Sequence, residues 1–98
     1  MSIIIDPEGK EIDALRRLAK WRGAHVLEVG CGDGRLTLRL AQLGAQVVAF
    51  DPKRSLIRKA RRKLPRQFAK QIKYYSGSKG ILKYPAESLD VVVFAWSL

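Results

Sequence analysis

Residues 26–41 read VLEVGCGDGRLTLRLA, and this stretch decides the architecture. Val26 to Val29 continue a short apolar run that opens at His25. Gly30, Gly32 and Gly34 then fall at alternate positions, which no helix or strand interior accommodates without a large entropic cost. The segment reads as a tight turn whose bare backbone lets a ligand come close. From Arg35 to Leu43 good helix formers return, with Leu36, Leu40 and Leu43 on one side and Gly44 as the stop. Strand, glycine turn and helix, in that order, open a βαβ unit.

Working outward, Gln46 to Phe50 is a valine-rich second strand that ends on Asp51. Leu56, Ile57, Ala60 and Leu64 recur at helical spacing, and Pro65 limits that helix. Ile72 and Tyr74 mark a weaker third strand, with Gly77 and Gly80 breaking the loop that follows. Asp90 leads into Val91, Val92, Val93 and Phe94, a continuous apolar run suited to the buried centre of a parallel sheet. Upstream, Asp6-Pro7 has the chemistry of a helix start, and Ile12, Leu15, Leu18 and Ala19 continue the stripe until Gly23. The order α-β-α-β-α-β-loop-β predicts an α/β fold with a mostly parallel sheet and right-handed crossover helices.

Asp51 lies 21 positions beyond Gly30, close to the roughly 20 expected of an acid that reads a ribose. A carboxylate there can accept hydrogen bonds from the 2′- and 3′-hydroxyls. The glycine spacing narrows the choice of nucleoside. A dinucleotide site asks for G-x-G-x-x-G, whereas this chain has G-x-G-x-G followed by Arg35. Glu28 sets a negative charge beside the turn, awkward for a pyrophosphate and compatible with a cationic amino-acid tail. No G-K-S or G-K-T follows the glycines, so a P-loop is absent.

Residues 26–41 closely resemble the first motif of class I, Rossmann-like S-adenosylmethionine-dependent methyltransferases. Residues 47–52, VVAFDP, resemble that family's second-strand motif, and residues 84–98, YPAESLDVVVFAWSL, its fourth-strand region. The resemblance implies S-adenosylmethionine as cofactor and methyl transfer as the activity, to an acceptor it does not identify. It assigns Gly30, Gly32 and Gly34 to the methionyl part of the ligand, with Glu28 supporting the turn and the amino group. Asp51 takes the ribose, and Phe50 and Pro52 help shape the adenosine pocket. The family often contacts adenine through an acid after the third strand; the matching place here is Ser78, a departure that weakens this contact. Asp90 is as readily structural as ligand-binding. Trp96 and Ser97 emerge on the substrate side of the fourth strand, and no N-P-P-Y motif marks an amide or adenine nitrogen as the target.

Composition bounds the remaining readings. Ninety-eight residues make one domain, spanning 1–98. Family domains generally have about seven strands; four are legible here, so the domain is expected to be incomplete after the fourth. An unpaired edge beside Val91–Phe94 would then favour self-association or a complementary chain segment. Cys31 is the only cysteine and His25 the only histidine, so neither a disulfide nor a Cys/His metal site is available. The absence of a long apolar run or secretory signal makes a cytoplasmic, non-membrane protein the default. The chain carries 19 Lys and Arg against 9 Asp and Glu, a net charge of +10. Between Pro52 and Ala86 there are basic residues and no acidic one, a field that attracts polyanions. Two alternatives to an enzyme follow: a non-catalytic cofactor-binding or assembly module, and a basic nucleic-acid-binding protein on a Rossmann-like scaffold.

Overall fold

Short β-branched runs separated by glycine turns build a sheet here, because each run is too short for a helix and apolar enough to be covered. The computed structural model describes residues 2–5, 17, 20–77 and 83–95. Its strands are β1 (Ser2–Ile5), β2 (His25–Val29), β3 (Gln46–Asp51), β4 (Ile72–Ser76) and β5 (Val91–Phe94). They form one sheet in the order β1-β5-β2-β3-β4, and every pairing is parallel. Helix α1 (Arg35–Gln42) joins β2 to β3, and helix α2 (Arg54–Lys63) joins β3 to β4. Short 3₁₀ turns at Arg66–Phe68 and Ala86–Ser88 punctuate the longer connections.

The register puts Val26 beside Val47 and Val91, and Val47 beside Ile72; two residues on, Glu28 lies beside Ala49 and Val93, and Ala49 beside Tyr74. Side chains alternate along a strand, so these residues share one face. On it all of them but Glu28 form a single core with Leu40 and Ala41 of α1 and Ile57 and Ala60 of α2. Gln71 ties the start of β4 to α1, its side-chain amide donating to the carbonyls of Ala41 and Ala45, both at 3.0 Å. The other face carries Phe50, whose ring stacks on Tyr75 with centroids 5.5 Å apart and meets Tyr84 edge-on at 6.2 Å.

All four expected strands are present, and Ser2–Ile5 adds a fifth. Three of its four residues, SIII, are β-branched, but at four residues it is too short to show a period. It pairs with β5 from Ser2 opposite Val91 to Ile5 opposite Phe94. β5 therefore has a neighbour on each side, and the unpaired edge expected beside Val91–Phe94 does not exist. The helix expected from Asp6 to Gly23 lies for the most part outside the described residues, as do Ser78, Trp96 and Ser97.

Candidate functional site

Because the strands are parallel, the turns that follow β2, β3 and β4 all gather at one edge of the sheet. The glycine turn is built there from left-handed backbone: φ is 82° at Gly30, 59° at Gly32 and 91° at Gly34, values that a side chain disfavours. Gly30 and Cys31 both donate their N–H to the Phe50 carbonyl, at 2.8 and 3.1 Å. The turn is thereby latched onto β3. Gly34 N–H closes it on the Cys31 carbonyl at 3.0 Å, and Leu38 N–H then begins the helical ladder on the Gly34 carbonyl.

The second latch is Asp51. Its Oδ2 accepts the Gly32 N–H at 2.9 Å and its Oδ1 accepts the Lys53 N–H at 2.9 Å. Each carboxylate oxygen keeps a further lone pair, so a fixed acceptor pair stands against the glycine turn. Its backbone carbonyl receives Gly77 N–H at 2.9 Å, which draws the loop after β4 to the same edge. A β-carbon at Gly32 would meet nothing within 4 Å, whereas one at Gly34 would overlap the Tyr74 hydroxyl. The two glycines thus serve different ends: one leaves the backbone bare, the other admits a tyrosine.

Glu28 lies beneath the turn on the core face and is fully buried. The Thr37 hydroxyl on α1 donates to its Oε1 at 2.5 Å. Its Oε2 is the buried side-chain oxygen that has no partner among the described residues. Burial pushes the Glu28 carboxyl up to about 7, the Thr37 hydrogen bond opposes that rise, and the Asp51 charge adds to it. Tyr74, also bonded to Thr37, is pushed up to about 12, chiefly by burial. Burial likewise raises the Cys31 thiol, helped by the Glu28 and Asp51 charges, which leaves it a packed, unreactive group. Asp33, at the outer side of the turn, is neutralised by Lys63 at 3.4 Å and Arg35 at 3.9 Å.

Among the residues singled out from sequence, Glu28, Gly30, Gly32, Gly34 and Asp51 converge. Phe50 joins them through its carbonyl, while its ring lies on the opposite face of the sheet. Asp90 does not join them: its Oδ2 accepts the His25 N–H at 2.8 Å and its own N–H donates to the His25 carbonyl at 2.8 Å. That reciprocal pair pins the starts of β2 and β5, at the far edge from the glycine turn. Among the described residues no group of three or more His, Cys, Asp or Glu side chains could hold a metal, and no helix is long and apolar enough to cross a membrane. Sequence reasoning missed Thr37 and Tyr74. The signal for Thr37 was available: it is nine residues after Glu28 and the only polar uncharged residue in an otherwise leucine-rich helical turn.

A parallel sheet with a glycine turn latched to an acid at the end of the neighbouring strand defines a Rossmann-like α/β domain. The model of a family described as methyltransferase domain matches residues 26–98, and the chain belongs to that family. An S-adenosylmethionine-dependent methyltransferase from Mesorhizobium loti superposes with a TM-score of 0.70 at 24% identity, over 88% of this chain and 40% of that one. Phosphoethanolamine N-methyltransferase 1 from Haemonchus contortus, solved with phosphoethanolamine and S-adenosylhomocysteine, gives a TM-score of 0.70 at 29% identity, over 87% of this chain and 18% of that one. A ubiquinone biosynthesis O-methyltransferase from Xanthomonas campestris is 54% identical over 39 residues, 40% of this chain and 16% of the relative. The cofactor expected from sequence agrees with that of these structural neighbours. The chain spans well under half the length of each.

Proposed function

We propose that the chain binds S-adenosylmethionine over the glycine turn and provides the cofactor side of a methyl-transfer site. One observation carries this reading: Gly32 N–H on Asp51 Oδ2 at 2.9 Å, which joins a bare backbone cradle to a fixed carboxylate. The fit to a nucleoside with an amino-acid tail rests on two further features. A β-carbon at Gly32 would meet nothing within 4 Å, and beneath the turn Glu28 has a buried oxygen without a partner among the described residues. When bound, S-adenosylmethionine supplies a methyl group activated by its own sulfonium.

The residues of this chain bind and orient. Gly30, Gly32 and Gly34 shape the turn for the methionyl part, and an ammonium above the turn would favour the ionised form of Glu28 beneath it. Asp51 accepts the ribose diol on the lone pairs that its two backbone donors leave free. Phe50 acts by holding the turn through its carbonyl. The family resemblance adds Ser78 as an adenine contact and Trp96 and Ser97 as acceptor-side residues, and all three lie outside the described residues. The acceptor is not specified: the relatives methylate different atoms, one a nitrogen and one an oxygen by their names.

Asp51→Ala tests the reading. Loss of hydrogen bonds to a charged acceptor costs about 1.5–3 kcal/mol, or roughly 10- to 150-fold in affinity. Calorimetric titration with S-adenosylhomocysteine should register that loss in a variant whose circular dichroism remains that of the parent. Equal affinity in parent and variant would move the ribose contact away from Asp51.

A further inference from the structure

We propose that the protein also binds single-stranded nucleic acid, its phosphates along the exposed side of α2 and its bases in a groove beside Tyr75. The basic residues gathered between Pro52 and Ala86 are not spread evenly over the molecule. Arg54, Arg58, Lys59 and Arg62 are all exposed on α2, and Arg66 and Lys70 extend the row through the turn that follows. Among the described residues none of these six has a carboxylate partner; the ion pairs there are those of Asp33 with Arg35 and Lys63. Ten residues of helix span about 15 Å. So many uncompensated cations in that length are held apart only by solvent, and a polyanion that displaces their counterions relieves the repulsion.

The row ends at β4, which among the described residues pairs with β3 alone. On the face away from α2, β4 presents Lys73 and Tyr75 to a groove of about 700 Å³. Lys70, Tyr84 and Ser88 also line it, and so do the carboxylates Glu87 and Asp90, so the bases rather than the phosphates belong there. Tyr75 is 39% exposed, the one large apolar side chain so open among the described residues, and its ring is held in place by stacking on Phe50. A lysine on an edge strand also discourages sheet-to-sheet pairing, which accounts for Lys73 alone and not for the row on α2.

These features select the partner. Cations along one side of an edge and a rigid exposed aromatic in a groove on the other are the two parts of a single-strand site, backbone track and stacking platform. A duplex has no free base for Tyr75. An anionic membrane would need the apolar side of α2, yet Ile57 and Ala60 on that side are each 1% exposed and belong to the core.

The test is fluorescence anisotropy with labelled mixed-sequence RNA and DNA strands of about 15 nucleotides. If about four phosphates are neutralised, log affinity falls against log salt with a slope of about −2.8, or about 50-fold between about 50 and 200 mM. Arg58→Gln/Lys59→Gln/Arg62→Gln, all exposed and all to a helix former, should flatten that slope by about 2. Tyr75→Ala should weaken binding about fivefold or more, Tyr75→Phe should restore it, and Lys20→Gln should have no effect. The proposal is overturned by the absence of saturable binding at the lower salt, or by a salt slope that the triple variant does not change. Tighter binding to a blunt duplex, to phosphatidylserine vesicles or to polyglutamate than to the single strand overturns it equally.

Discussion

Glu28→Gln should make the protein more stable at alkaline pH than the parent, by an amount that the burial of this carboxyl sets. Glu28 titrates near 7 in the folded chain against 4.5 when exposed. At 1.36 kcal/mol per pH unit, its full ionisation in the folded state costs roughly 3 kcal/mol. A raised carboxyl means that the folded state holds more protons than the unfolded state between these two values. Stability from this group is thus fully present below about 4.5 and is lost as pH rises through about 7. Integrating the linkage from about pH 5.5 to 8.5 gives a loss of about 2 kcal/mol. Glutamine keeps an oxygen for the Thr37 hydroxyl and cannot ionise. The groups facing Glu28 are Thr37, Asp51, Cys31 and Tyr74, and they stay in place in the variant. Urea denaturation of both proteins across this pH range isolates the effect, since every other titration cancels in the difference. The variant should gain about 2 kcal/mol on the parent between the two ends. A difference that stays flat within about 0.5 kcal/mol would refute the argument, because it would mean that Glu28 does not change protonation there.

Two further substitutions separate the roles of the glycine turn and the far edge of the sheet. Gly34→Ala places a β-carbon at φ +91° and 3.0 Å from Tyr74 Cζ, overlapping the hydroxyl. Left-handed strain of about 1–2 kcal/mol and a similar overpacking cost predict a loss of about 3 kcal/mol in urea unfolding, part of it recovered with Tyr74→Phe. A loss below about 1 kcal/mol would show the turn to be slack. Asp90→Ala removes the acceptor of the His25 N–H and should cost about 1 kcal/mol in the same assay. Calorimetry with S-adenosylhomocysteine should find its affinity unchanged; a tenfold drop would place Asp90 in the site.

The glycine turn, its Asp51 partner and the α/β order are legible because each depends on local signals: glycine spacing, strand runs and an acid at a fixed distance. The short first strand was not, since SIII acquires meaning only from the backbone of Val91–Phe94 beside it. Pairing across almost the whole chain leaves no local mark. The charge on Glu28 could be read from sequence, but its burial under Thr37 could not, because that depends on α1 folding back onto β2. Phe50 shows the same limit. Its position beside Asp51 placed it at the site, and the alternation of side chains along β3 turned its ring to the other face. The basic run was visible as composition; only the helix and the edge strand turned it into a surface with a direction.

The central claim is that the glycine turn and Asp51 form one nucleoside site for a sulfur nucleoside rather than a dinucleotide. Residue-resolved amide chemical shifts, followed during titration with S-adenosylhomocysteine and separately with NAD, test it most directly. S-adenosylhomocysteine should move the amides of Gly30, Gly32, Gly34, Asp51 and Lys53 and leave those of His25 and Asp90 where they were, while NAD produces no saturable change. Saturable shifts at the turn with NAD and none with S-adenosylhomocysteine would contradict the claim.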